Sequence, residues 1–168
     1  MILFVRHGET EHNKQNKMQG RLDIPLNEAG KNQAKHTAEQ LKNQNIDVIY
    51  SSPLSRAKQT AEIINQYHNK PILIDDRINE IELGNLTGIT RDYKIIDSLE
   101  DPAYAKAHNA EDFDTFYKRC VDFYNSIENT EQNVLIVAHS GVGYQLKKYL
   151  KLNKDNIVSN CEIVTFKK

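Results

Sequence analysis

The chain has no tryptophan, and only two cysteines, four prolines and seven glycines among 168 residues. Cys120 and Cys161 lie far apart in sequence. They make neither a disulfide framework nor a C-x-x-C metal or redox pair, and they read as reduced core thiols. Glycine and proline are too scarce for a fibrous or low-complexity chain. No apolar run approaches the ~20 residues that a membrane-spanning helix needs. The apolar start, Met1 to Val5, meets Arg6 at once and is too short for a signal-peptide core. The chain is therefore expected to be soluble and cytoplasmic, with no membrane partner. Neither sign of charge dominates: 22 Lys and Arg stand against 23 Asp and Glu, a net charge of −1. That argues against a dedicated nucleic-acid binder and leaves room for a small cationic pocket.

What is present fits one ordinary domain. A chain of this length buries roughly 70% of its unfolded surface and needs no staple. There is no internal repeat and no linker, so a single domain over residues 1–168 is expected. Two apolar runs, Ile2 to Val5 and Val134 to Ala138, are β-branched-rich and continuous, which suits strands buried on both faces of a parallel sheet. Asp47 to Tyr50, Ile72 to Ile74 and Ile163 to Phe166 are further strand candidates. Between them lie helical patterns. Ala34, Ala38 and Leu41 share a face in a segment from Asn27 to about Asn43. Leu54, Ala57, Ala61 and Ile64 step by three, four and three, with Ser52 as a cap and Pro53 at the first helical position. Phe113, Phe116, Cys120, Phe123 and Ile127 give a third helix, starting near Asp112. Val142, Leu146 and Leu150 give a fourth, after Gly141. Strands alternating with helices predict an α/β fold, a single three-layer α/β/α domain around a mostly parallel sheet.

The chemistry collects after the strands. Arg6 and His7 follow the first, Ser51-Ser52-Pro53-Leu54-Ser55-Arg56 the second, and His139-Ser140-Gly141 the long apolar run near the end. Open α/β sheets bind ligands beyond the carboxyl ends of their strands, so two histidines and two arginines are expected at one edge. These residue types fit a phosphate. Guanidinium forks match a tetrahedral oxyanion and keep their charge. Gly8 and Gly141 would let backbone approach a ligand, and the helices after Ser52 and Gly141 can aim N–H groups at an anion. An imidazole in such a place can be nucleophile, acid or metal ligand. A metal is disfavoured, because His7 and His12 lack acidic and cysteine companions and two arginines would repel a divalent cation. No metal and no other cofactor are expected.

Arg6-His7-Gly8-Glu9-Thr10 resembles the opening motif of the histidine phosphatase superfamily, the phosphoglycerate mutase-like family. The resemblance extends over nearly the whole chain. It takes in Asn13 and the stretch Gly20-Arg21-Leu22-Asp23-Ile24-Pro25-Leu26-Asn27-Glu28-Ala29-Gly30. It continues through Ser51 to Ala57 with Gln59-Thr60-Ala61, Asn79-Glu80-Ile81 with Gly84 and Gly88, and Val134 to Gly141. The resemblance implies roles. His7 would be the nucleophile that becomes phosphohistidine, and Arg6, Arg56 and His139 would hold the transferring phosphoryl group. Glu80 would give a proton to the leaving oxygen, and Asn13 would be a further phosphate contact. Gly141 joins the substrate-binding set. The chemistry is coherent. Phosphoryl transfer needs positioning and charge stabilisation, flanking guanidiniums keep the attacking imidazole neutral, and a departing alkoxide needs a proton.

Other polar residues have plainer readings. Glu9 is expected to bond backbone in its loop, and His12, His36, His68 and His108 to lie at the surface. Lys14, Lys17 and Arg21 form a solvated face or add positive potential at the mouth. Tyr144 either lines the pocket or packs. The chain also departs from its family. Leu86-Thr87-Gly88 lacks the aromatic residue and acid that many members carry, and Asn109-Ala110-Glu111 replaces a Gly-Gly-Glu. These departures touch specificity, with Glu111 a substrate-contact candidate. The expected activity is hydrolysis of small phosphorylated metabolites, with a phosphoprotein substrate left open. Alternatives are a phosphoglycerate mutase and a non-catalytic binder of phosphorylated ligands. Residues 89–110 would be a lid of one short helix plus a loop, and a cover so short, with no tail behind the final strand, favours hydrolysis over transfer.

Overall fold

A computed structural model describes residues 1–152 and 157–167; residues 153–156 and Lys168, which the expected domain range includes, lie outside the described residues. All five expected strands form: β1 (Ile2–Arg6), β2 (Val48–Ser51), β3 (Ile72–Ile74), β4 (Val134–Ala138) and β5 (Ile163–Lys167). They make one sheet in the order β3-β2-β4-β1-β5. The first four strands are parallel, and β5 runs antiparallel to β1 at one edge.

The sheet is buried on both faces because successive side chains of a strand point to opposite sides. Ile2 and Phe4 of β1, with Val134, Ile136 and Ala138 of β4, enter one core. Leu3 and Val5, with Leu135 and Val137, enter the other. α6 (Phe113–Ile127) and α7 (Ser140–Tyr149) cover the first face through Phe116, Phe123, Val142 and Leu146. α2 (Glu28–Leu41) and α3 (Ser55–Asn65) cover the second through Ala38, Leu41, Ala57, Ala61 and Ile64. The fold is a three-layer α/β/α arrangement. Cys120 and Cys161 are buried free thiols. Burial pushes the Cys161 thiol up to about 12 and that of Cys120 higher still.

Three local expectations are corrected. α3 begins at Ser55, with Leu54 in the capping position and no side-chain cap. Pro53 therefore precedes the helix, and the Ser52 hydroxyl turns instead toward His139. α7 begins at Ser140, so Gly141 lies inside its first turn. Residues 89–110 hold two short helices, α4 (Tyr93–Asp97) and α5 (Pro102–Ala107), with a 3-10 turn between them. Asp92 and Asp101 cap them by accepting from Lys94 N and Ala103 N, and Pro102 opens the second. Among the described residues no helix is long and apolar enough to cross a membrane.

Parallel strands bring their carboxyl ends to one edge. Arg6 pairs with Ala138 and Ser51 with Val137. The next backbone bonds, His7 N to Ala138 O (2.9 Å) and Ser52 N to Val137 O (3.1 Å), hold the three outgoing loops side by side.

Candidate active site

A cavity of about 250 Å³ opens at that edge. Arg6, His7, Asn13, Arg56, Glu80 and Gly141 line it, as does Tyr144. His139 is wholly buried beneath it, with its ring centroid 5.2 Å from that of His7. The seven site residues expected from sequence thus gather at one place. His12, His36, His68 and His108 do not line the cavity.

His7 is 3% exposed. Its Nδ1 lies 2.7 Å from Gly8 O. A carbonyl only accepts, so Nδ1 carries the proton and the Nε2 lone pair is left free. Burial first, then the Arg56 and Arg6 guanidiniums, hold His7 well below the ordinary histidine range, with Arg91 adding to the effect. The ring is neutral at neutral pH. Its loop is pinned from three sides: Gly8 N donates to Thr60 Oγ1 (3.1 Å), Asn160 Nδ2 donates to His7 O (2.8 Å), and Cys161 N donates to Arg6 O (2.9 Å).

The two arginines are anchored by backbone carbonyls. Arg6 Nη1 donates to Val158 O (2.9 Å). Arg56 donates from Nη1 to Leu22 O and from Nη2 to Gly20 O, both at 2.8 Å. Burial pulls both guanidiniums down to about 10, so they stay charged at neutral pH. Arg6 Nε, Arg56 Nε and His139 Nδ1 are buried without a partner among the described residues. A buried polar atom left unbonded costs about 1–3 kcal/mol, which an oxyanion accepting from such donors would relieve. Asn13 spends its Oδ1 on the Thr10 backbone at the start of α1 (Glu11–Lys14), so its amide nitrogen is the end able to address a ligand.

The Ser52 hydroxyl lies 2.7 Å from His139 Nε2 and accepts from Leu54 N at 3.4 Å. A hydroxyl oxygen carries one proton and two lone pairs, so it can pair with either tautomer of the ring; where it gives its proton to Nε2, the imidazole proton stands on Nδ1 as a donor. Burial, then Arg56 and His7, hold His139 well below the ordinary range too.

Glu80 sits in a stretch without regular structure, between a 3-10 turn at Asp76–Ile78 and another at Gly84–Leu86. Its Oε1 accepts from Ile81 N (3.0 Å) and its Oε2 from Gly141 N (3.4 Å). Gly141 and Gly8 also meet a packing demand. A Cβ on Gly141 would stand 2.3 Å from Glu80 Oε1, and one on Gly8 would stand 2.4 Å from Gly30 O. Gly8 makes room for backbone, and Gly141, on the cavity wall, makes room for the Glu80 carboxyl. Glu111 is corrected as well: it does not line the cavity and is the ionic partner of Arg119 and Arg21. Arg21 accordingly is no mere solvated charge, since its Nε also donates to Glu80 O (3.0 Å). Among the described residues, no group of three or more His, Cys, Asp and Glu is disposed to hold a metal ion.

Arg91, Arg119 and Asn160 escaped the sequence reading, in which Ser52 is only a helix cap. Arg91 sits on the cavity wall, its backbone N–H held by Asn16 O at 2.8 Å, yet in sequence it is one arginine in a polar stretch.

The sequence pattern of the histidine phosphatase superfamily, branch 1, matches residues 2–165. The chain belongs to the histidine phosphatase superfamily. Among members of that superfamily, it is 49% identical over 88 residues to a Bacillus subtilis protein named as an uncharacterized phosphatase, PhoE. That match spans 52% of this chain and 46% of the relative, so the chain spans about half that relative's length. It is 31% identical to phosphoserine phosphatase 1 of Hydrogenobacter thermophilus over 92% of this chain and 82% of that one. The solved structure of Bacillus stearothermophilus YhfR superposes with a TM-score of 0.79 at 30% identity, covering 98% of this chain and 90% of the other.

Proposed function

We propose that this domain hydrolyses phosphomonoesters of small phosphorylated metabolites, through a phosphohistidine formed on His7. One observation carries the reading: a buried, neutral imidazole whose Nδ1 is tied to Gly8 O leaves Nε2 unprotonated in a cavity that two charged guanidiniums also line. In the first step the Nε2 lone pair attacks phosphorus. The ester P–O bond breaks, its electron pair leaves on the oxygen, and the Glu80 carboxyl hands that oxygen a proton. In the second, the Glu80 carboxylate takes a proton from water as the water oxygen attacks phosphorus. The N–P bond breaks, its electrons return to Nε2, and inorganic phosphate departs. Arg6, Arg56 and His139 hold the phosphoryl oxygens through both steps, Asn13 adds a contact, and Gly141 seats the acid against the phosphate site. The cationic residues supply the charge stabilisation that phosphoryl transfer requires.

The names of the Bacillus and Hydrogenobacter relatives support a phosphatase. We assign the whole range 1–168 to one domain acting in the cytoplasm, with residues 89–110 as its lid. A mutase must keep water from its phosphohistidine, and two short helices make a slight cover. Brief mixing with labelled substrate should leave phosphate on the protein, labile in acid and stable in base, and His7→Ala should abolish the label. On one preparation, release of inorganic phosphate should outrun interconversion of 2- and 3-phosphoglycerate; the reverse order would establish a mutase, and a phosphorylated ligand that binds without turnover would establish a binder.

A further inference from the structure

The Glu80 stretch carries a proton-transfer group but lacks a structural ladder of its own. Residues 80–83 are neither helix nor strand. Such a segment keeps its shape only if something else satisfies its backbone. Arg119, one turn beyond Phe116 on α6, does so. Its Nη1 donates to Arg77 O (2.8 Å) and Asn79 O (2.7 Å), and its Nη2 to Glu80 O (2.9 Å). The same guanidinium is gripped bidentately by Glu111, Nε to Oε1 at 2.7 Å and Nη2 to Oε2 at 2.8 Å. Glu111 reaches the stretch from the other side, Oε2 accepting from Glu82 N (3.3 Å), while its own N–H donates to Glu82 O (2.9 Å). Arg21 closes the ring, bonding both Glu80 O and Glu111. The Arg119 guanidinium also lies 4.6 Å from the Phe116 ring centroid, and Phe116 is a wall of the cavity beside Gly141. The Arg119 and Glu111 side chains are 16% and 10% exposed. This is a largely dry, rigid pair, not a surface ion pair worth little.

We propose that Arg119, locked by Glu111, is a positioning residue for proton transfer: it fixes the backbone from Arg77 to Glu82 and so sets where the Glu80 carboxyl stands against Gly141 and the leaving oxygen. The proposal rests on Glu80 being the acid. Lysine cannot replace arginine here, because one ammonium cannot serve three carbonyls and a carboxylate in a planar fork.

The test compares an alkyl phosphate with p-nitrophenyl phosphate, whose leaving group needs little protonation. Glu80→Gln should lower kcat strongly on the first and weakly on the second. Arg119→Lys should reproduce that selectivity, with a loss of roughly tenfold to a hundredfold on the alkyl phosphate, the scale expected of a carboxyl displaced by about 1 Å. Added to Glu80→Gln, Arg119→Lys should cost nothing further on the alkyl phosphate, because two residues acting as a unit are not additive. Glu111→Gln should shift the ratio of the two substrates in the same direction, and it serves if Arg119→Lys does not fold. Equal losses on both substrates, or full additivity with Glu80→Gln, would overturn the clamp while leaving the acid in place. If Glu80→Gln itself lacks the leaving-group dependence, the acid assignment fails and the clamp fails with it.

Discussion

The imidazoles of His7 and His139 meet edge to face, their centroids 5.2 Å apart and their planes at 61°. Each is held neutral first by burial and then by the Arg56 guanidinium, and His7 further lowers the readiness of His139 to protonate. Together they make the fold sensitive to acid. In the unfolded chain a histidine titrates near ~6.5, whereas in the folded protein both lie well below. Below that pH the unfolded state binds protons that the folded state refuses, so stability present above ~6.5 declines as pH falls. Each ring contributes at most about 1.4 kcal/mol per pH unit. Urea midpoints should drop between pH 7 and pH 5.5, and His139→Gln should flatten that slope. A variant as acid-sensitive as the parent would contradict the linkage.

Gly141→Ala places a methyl 2.3 Å from Glu80 Oε1 and 3.0 Å from the Phe116 ring. Glu80 is the flexible party and should yield. We expect a folded protein, by circular dichroism, whose turnover of alkyl phosphates falls at least tenfold, on the order of what a displaced acid costs. Retained turnover would mean that Glu80 has room to spare.

Removing the Ser52 hydroxyl strips the bond from His139 Nε2. Ser52→Ala should destabilise by about 1–3 kcal/mol, the cost of a buried polar atom left unbonded. It should also raise the concentration of inorganic phosphate needed to inhibit, since the bond that orients the His139 ring and favours a proton on Nδ1 is gone. Unfolding in urea reads the first effect and product inhibition the second. Unchanged phosphate inhibition would separate Ser52 from the tautomer.

Gly30→Ala should be among the costliest single changes. Its Cβ would lie 2.1 Å from Glu9 O, which is backbone and cannot swing aside. A loss of about 2 kcal/mol or more is expected from such overpacking. Gly88→Ala offers the contrast. Nothing lies within 4 Å of its Cβ position, so only the strain of φ +84° should appear, at roughly 1–2 kcal/mol. Thermal melts of the two variants give the comparison, and a milder effect at Gly30 would refute the contact.

If guanidiniums carry the charge stabilisation, as proposed, chelator should leave the rate unchanged, and vanadate, which adopts a five-coordinate geometry like that of the transition state, should inhibit. A rate lost in chelator and restored by Mg²⁺ would point to another mechanism.

The strands were readable because burial on both faces leaves nearly continuous apolar runs, as in Val134 to Ala138. Chain order then brought Arg6, His7, Arg56 and His139 to one edge without further information. What escaped depends on partners distant in sequence. Ser52 carries the signature of a helix cap, and only its pairing with His139, 87 residues on, removes it from that duty. Glu111 looked like a pocket residue because its claim on Arg21, 90 positions earlier, leaves no local trace. Gly8 reads as a point of ligand approach and Gly30 has no reading of its own until packing sets them against each other. The expectation of one helix in residues 89–110 undercounted, because α4 and α5 are a turn or two each and leave little local signal beyond their Asp caps and Pro102.

The segment Val158 to Cys161, just before β5, braces Arg6 and His7 through bonds that link residues more than 150 positions apart. Order of synthesis follows from this. His7 is made some 150 residues before the parts that fix its loop. Ribosome-bound chains lacking β5 can assemble β2, β3 and both helices over them while the phosphate pocket stays unset. Contacts so remote in sequence also close slowly, so in refolding experiments binding of inorganic phosphate should return after the helical signal rather than with it.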